Sequence, residues 1–135
     1  MSWGVRRGVL LGFALLAAGH VLAQEDLAAR VKKAQEAARA NAASPEGRAW
    51  IKDNSPAAGR LLIPVLNRCL PDPPGDIPTV FEVFVRLSRA GRAREVVTEL
   101  DEALGKCMTT AARDMPFPEA PRDDYWIQVN MAAPL

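Results

Sequence analysis

The hydrophobic positions of this chain change period several times, and each change predicts a different element. Residues 8–18 run apolar without interruption. Residues 25–42 (EDLAARVKKAQEAARANA) place Leu27, Val31, Ala34 and Ala38 at helical spacing with acids ahead of bases, so they predict a helix with a thin apolar stripe. Such a stripe can pack on the domain, pair with a partner or stay mobile, and all three remain open at this point. Ser44-Pro45 and Ser55-Pro56 each put a capping side chain before proline, the chemistry of a helix start. They predict one helix over 45 to about 53, carrying Trp50 and Ile51, and another over about 56–70 with Leu62, Val65, Leu66 and Cys69 on one face. Pro64 should kink or restart the second helix, because it has no N–H to give the preceding turn. The run PDPPGD then predicts an extended linker over 71–78.

From Thr79 the period becomes two. Phe81, Val83, Val85 and Leu87 fall on one face and Glu82, Phe84 and Arg86 on the other, which predicts a strand. Ser88-Arg89-Ala90-Gly91 reads as a turn with glycine available for positive φ, and residues 92–100 resume an extended pattern, completing a β-hairpin. Asp101 can cap a helix reaching about Asp114, with Leu104, Cys107, Met108, Ala111 and Ala112 on one face, so Cys107 is expected to point inward. Met115-Pro116-Phe117-Pro118 stops that helix, and residues 125–131 (YWIQVNM) alternate as a final strand. The expected fold class is α+β: a helical region over 24–70, the linker over 71–78 and a β-β-α-β module over 79–135, together one compact unit.

The first apolar run changes meaning once its flanks are considered. Arg6 and Arg7 precede it, Gly19-His20 end it, and Val21-Leu22-Ala23 offers a small-residue cleavage site followed by polar Gln24-Glu25-Asp26. This is the layout of a secretory signal peptide over 1–23, and its apolar run is shorter than the roughly 20 residues of a spanning helix. The expected location is the periplasm or the cell exterior, with no membrane anchor left after cleavage. Removal of Arg6 and Arg7 leaves 15 of the chain's 17 basic residues against 16 acidic ones, a formal net charge of −1, so nucleic acid is a poor partner. His20, the only histidine, leaves with the signal, and with it goes the usual general base and zinc ligand. No cofactor, metal or enzymatic activity is expected. In an oxidising compartment the two cysteines, Cys69 and Cys107, are expected to form a structural disulfide.

The strand FEVFVRL, the glycine turn at Ala90-Gly91-Arg92, the strand REVVTEL, the helix ALGKCMTTAARDM and the proline-flanked PFPEAP before YWIQVNM together resemble the C-terminal domain of TonB over about residues 79–131. That resemblance implies a helix packed across a small antiparallel sheet and an edge strand able to take up an extended peptide. The whole mature chain, with SPEGRAW ahead of the module, is also similar to small exported bacterial proteins that pair two cysteines at corresponding places. Unlike TonB, this chain has neither a retained anchor nor a long proline-rich spacer, so energy transduction does not follow from the resemblance.

Two binding surfaces are expected, each with a plain structural alternative. Tyr125 and Trp126 are adjacent on the last strand, so one must face away from the core; an exposed edge there could accept a partner strand from a periplasmic or envelope protein, whereas Trp126 could equally pack under the N-terminal helices. Arg86, Arg89, Arg92 and Arg94 gather around one hairpin and could engage an anionic polymer or lipid, or simply form a solvated rim diluted by Glu82, Glu95 and Glu99.

Overall fold

The computed structural model describes residues 12–71 and 77–132, with side chains described from Asp26 onward. The predicted charged start of the signal peptide and most of the proline-rich linker therefore lie outside the described residues. The elements are α1 (Gly12–Ala43), α2 (Pro45–Cys69), β1 (Val80–Leu87), β2 (Ala93–Thr98), α3 (Glu102–Ala112) and β3 (Tyr125–Ala132). The mixed α+β class is as expected. None of the helices among the described residues is long and apolar enough to cross a membrane. Helix α1 runs unbroken past Ala23, so a chain cut there would begin within α1.

The three strands form one antiparallel sheet in the order β2-β1-β3. Strand β1 takes the centre, buried along one face and partly covered on the other, where Glu82 and Arg86 flank the buried Phe84. Phe81, Val83, Val85 and Leu87 point into the main core with Val96, Tyr125, Ile127, Val129 and Met131, while Phe84 points to the opposite side. Helices α2 and α3 cover the first face with Ala58, Leu62, Val65, Leu66, Met108 and Ala112. Helix α1 covers the second face, setting Ala34 and Ala38 on Phe84 with Val31 and Trp126 alongside. Of the three fates open to the thin stripe, it is docked. Small residues on that stripe bring α1 close to the sheet, and polar bonds hold it at mid-helix and near its C-terminal end: Arg30 Nη2 donates to Glu95 Oε2 on β2 at 2.8 Å, and Asn41 Nδ2 to the Trp126 carbonyl on β3 at 3.0 Å. The helix therefore crosses from β2 to the far side of β3.

Two expectations are corrected. Ser55-Pro56 is not a helix start, and α2 continues through both Pro56 and Pro64. Both prolines are exposed, as are Lys52 and Arg60 one turn earlier, whose carbonyls lose their helical donors but remain open to water. The buried face of α2 retains its full ladder and its packing on the sheet, which favours one long helix. The real start is Ser44, whose Oγ accepts from Gly47 N at 2.9 Å with Pro45 following.

Cys107 is the second correction. The inward face of α3 is Gly105, Met108 and Ala112, whereas Cys107 is exposed at the rim. It bonds there to Cys69 at the end of α2, with the two Cα atoms 5.8 Å apart. The bond clips the outer sides of two helices that already share the core. Asp101 caps α3 as expected, accepting from Ala103 N at 2.8 Å.

The hairpin turn is fixed by Gly91, which has φ of 82°. A side chain there would run into the carbonyl oxygen of Phe117, so glycine also lets the segment after α3 fold under the hairpin. That segment is further tied by Ala120 N donating to Arg89 O at 3.1 Å and Trp50 Nε1 donating to Glu119 O at 2.7 Å. It delivers the chain to β3 with Tyr125 in the core, its ring 6.0 Å from that of Trp50.

Candidate functional site

A three-stranded sheet has two outer edges, and they differ in how their backbone groups are met. On β2, Thr109 Oγ1 of α3 accepts from Val96 N at 2.9 Å, while its one hydroxyl proton has Gly105 O at 2.8 Å as a nearer acceptor than Val96 O at 3.2 Å. Gly105 lets α3 come this close, since a Cβ there would stand 3.1 Å from Val96 O. The β2 edge is thus covered at Val96 by a helix that supplies an acceptor for its outward N–H.

The same bonds fix the phase of the whole sheet. Val96 points its backbone outward, so its partner Val85 must point its own toward β3, where it faces Ile127. Ile127 and Val129 accordingly bond inward to β1, and Trp126, Gln128 and Asn130 direct N–H and C=O to the outer edge. The bond from Asn41 to the Trp126 carbonyl agrees with this phase. Asn41 is buried and is held in turn by Arg122, whose Nη2 donates to its Oδ1. One end of the β3 edge is closed in this way. From Gln128 onward no described side chain or backbone group bonds the outward-facing backbone of β3.

The open stretch lies beside a groove. Ala38 and Asn41 of α1, Trp50, Ile51 and Ser55 of α2, and Gln128 of β3 enclose about 90 Å³ at the closed end. Further along, α2 passes the edge at Gly59, whose missing Cβ would lie 3.9 Å from Val129 Cγ1. Ile51 and Ile63 are exposed large apolar residues of α2, 41% and 37% accessible. No residue of β3 (YWIQVNMA) is charged, whereas charges are the usual guard of a free edge.

The paired aromatics divide as the strand requires. Tyr125 is buried against Trp50, and the Arg122 guanidinium lies 5.5 Å above its ring. Burial holds its phenol above the ordinary value of 10.0, against the opposing pull of Arg122. Trp126 is half-buried on the α1 face, with Arg86 5.9 Å from its ring centroid. It is partly sheltered by α1 rather than placed on the open edge.

The four arginines do not act as one patch. Arg86 is drawn along the α1 face of the sheet, with Nη1 on Asp124 Oδ1 at 2.7 Å and Nε 3.5 Å from Glu95, which also holds Arg30. The hydrogen bond to Glu95 is the main reason the Arg30 guanidinium is held even more firmly protonated than usual. Arg89 and Arg94 instead share an open hollow with Glu119 and Asp123, where Asp123 Oδ1 accepts from the Arg89 backbone N at 2.8 Å, and Arg92 is exposed in the turn. Carboxylates accompany three of the four cations. Comparison with family models, with curated proteins and with solved structures returned no match.

Proposed function

We propose that this protein is a non-enzymatic binding module of the periplasm or cell exterior that takes up an extended protein segment along the outer edge of β3. The observation that carries the reading is the contrast between the edges: β2 is covered and bonded by α3, while β3 from Gln128 onward offers outward N–H and C=O groups with no charged side chain to repel a strand. A TonB-type role in capturing peptides accords with this edge, although energy transduction is not part of the proposal. The hairpin arginines support an anionic polymer or lipid less well, because Arg86 is committed to Glu95 and Asp124, and Arg89 and Arg94 share their hollow with Glu119 and Asp123.

The test uses Gln128→Pro. The N–H removed points away from β1, so the sheet keeps its internal pairing while the edge loses a donor and gains a ring. Affinity capture from envelope extract with the unmodified protein should return a partner that the variant does not. That binding should also change little with ionic strength, because strand pairing is not charge-driven. A partner retained equally by Gln128→Pro would sink the proposal, and one lost at moderate salt would favour the arginines.

A further inference from the structure

We infer that the segment taken up along β3 is acidic, with a carboxylate side chain received at the closed end of the edge between Arg39 of α1 and Lys52 of α2. This rests on the reading of β3 as a docking edge and names the chemistry of its occupant. Strand β3 has no charged residue, so a charge that selects the partner has to come from the helices beside it. The groove at the closed end is lined by one charged residue, Arg39, and by no carboxylate. Arg39 lies between Ala38, buried on Phe84, and Asn41, which holds the Trp126 carbonyl, so α1 is fixed on both sides of it. Lys52 stands three residues before Ser55, which also lines the groove, and seven before Gly59, where α2 passes the edge; that spacing sets all three on one face of α2. Both cations are exposed, and neither forms an ion pair among the described residues, whereas Arg30 and Arg86 already share Glu95.

The backbone fixes where the charge is read. Asn41 occupies the Trp126 carbonyl, so an added strand pairs no further than Gln128, and its residue abreast of Gln128 is the one beside the groove. Helix α2 runs along β3 from Trp50 at Tyr125 to Gly59 at Val129, which keeps Lys52 at this same end. A carboxylate here accepts from the Arg39 guanidinium, whose planar fork suits two oxygens, and from the Ser55 hydroxyl, with the Lys52 ammonium on the outer side. A basic side chain in that place faces two like charges, so the pair excludes as well as selects. Because both cations stand in water, each pairing changes affinity by only a few-fold; the strand bonds supply the binding, and salt narrows the preference without abolishing capture.

The probes are end-blocked ten-residue peptides of alternating threonine and valine in which glutamate, glutamine or lysine replaces each threonine in turn. Binding to the protein purified after export is read by fluorescence anisotropy. At one threonine position the glutamate peptide should bind about three- to tenfold tighter than the glutamine peptide, and the lysine peptide more weakly than either. In the double variant Arg39→Glu, Lys52→Glu that order should reverse, while Gln128→Pro should abolish binding of all three. Circular dichroism of each variant confirms that the fold persists. Equal affinity for the three peptides at every position, a preference for lysine, or a glutamate preference that survives the charge reversal overturns the inference; where Gln128→Pro still abolishes binding, the docking edge stands without it. Peptides that do not bind at all, or that bind Gln128→Pro as well as the unmodified protein, overturn the docking edge and this inference with it.

Discussion

The two edges of this sheet show two solutions to one physical problem. An edge strand carries unpaired backbone groups that will bond any extended chain within reach. At β2 the answer is intramolecular: α3 lies alongside, Gly105 removes the Cβ that would hold it off, and Thr109 accepts from Val96 N. At β3 the same helical cover stops partway. Asn41 occupies the Trp126 carbonyl, and beyond it the strand runs uncharged past the small residues of α2. One edge bonded at Val96 and the other open from Gln128 onward is the asymmetry on which the proposed docking rests.

The largest expected disturbance acts on both edges together. Cys69 and Cys107 join α2, which borders β3, to α3, which covers β2, and the closed span of 38 residues corresponds to about 4 kcal/mol on the chain-entropy account. Replacing both by serine should lower stability by that order in chemical denaturation, with the native far-ultraviolet spectrum retained in the absence of denaturant. Gly105→Val comes next. Its side chain would force α3 away from Val96 at a loss of about 2–3 kcal/mol, and amide exchange should quicken along β2 first. Thr109→Val keeps the shape but strands the Val96 N–H, costing about 2 kcal/mol and making β2 a second site of association, visible as concentration-dependent aggregation.

At the other edge the expected losses are smaller. Asn41→Ala removes the bond to Trp126 and should cost about 1 kcal/mol while lengthening the open stretch, so β3-dependent binding should strengthen as stability falls. Equal stability losses at Asn41 and Thr109 would erase the distinction between the edges. Last is the alkaline limit. Burial raises the Tyr125 phenol above 10.0, so the folded state keeps the proton that the unfolded chain gives up near that value. Its contribution to stability is complete below about pH 10 and is lost as pH rises through the folded value. Because Tyr125 is the only tyrosine, the phenolate absorbance reports it alone, and Tyr125→Phe should flatten the alkaline decline in thermal stability.

What could be read from sequence followed how local the determining physics is. The alternation of Phe81, Val83, Val85 and Leu87, the Asp101 cap and the glycine turn depend on near neighbours, and all appear in the structure as expected. The bond between Cys69 and Cys107 follows from having only two cysteines. Ser55-Pro56 misled because a proline is disruptive only where its missing bond cannot be met by water, and exposure is decided by tertiary packing. Cys107 misled by one helical step: Met108 beside it fills the core, and a disulfide can form at the rim. For the site, Tyr125 and Trp126 mark the right strand, but Asn41, Gly105 and Thr109 decide which edge is open. Their partners lie up to 85 residues away, and a lone asparagine in an alanine-rich helix or a threonine in α3 carries no local sign of that duty. The clustering of four arginines along the sequence dissolves because strand alternation and the turn send neighbouring side chains to different faces.

The placement of β3 after both long helices also sets an order of events. Helices α1 and α2 rest on a sheet built entirely from residues 80–132, and α1 lies chiefly against Phe84 and the last strand. Until residues 125–132 have emerged from the ribosome, α1 and α2 have no completed sheet to settle on, so they dock after the strands that follow them. A core that closes only when its last strand joins leaves the helices ahead of it without a fixed resting place while they are being made.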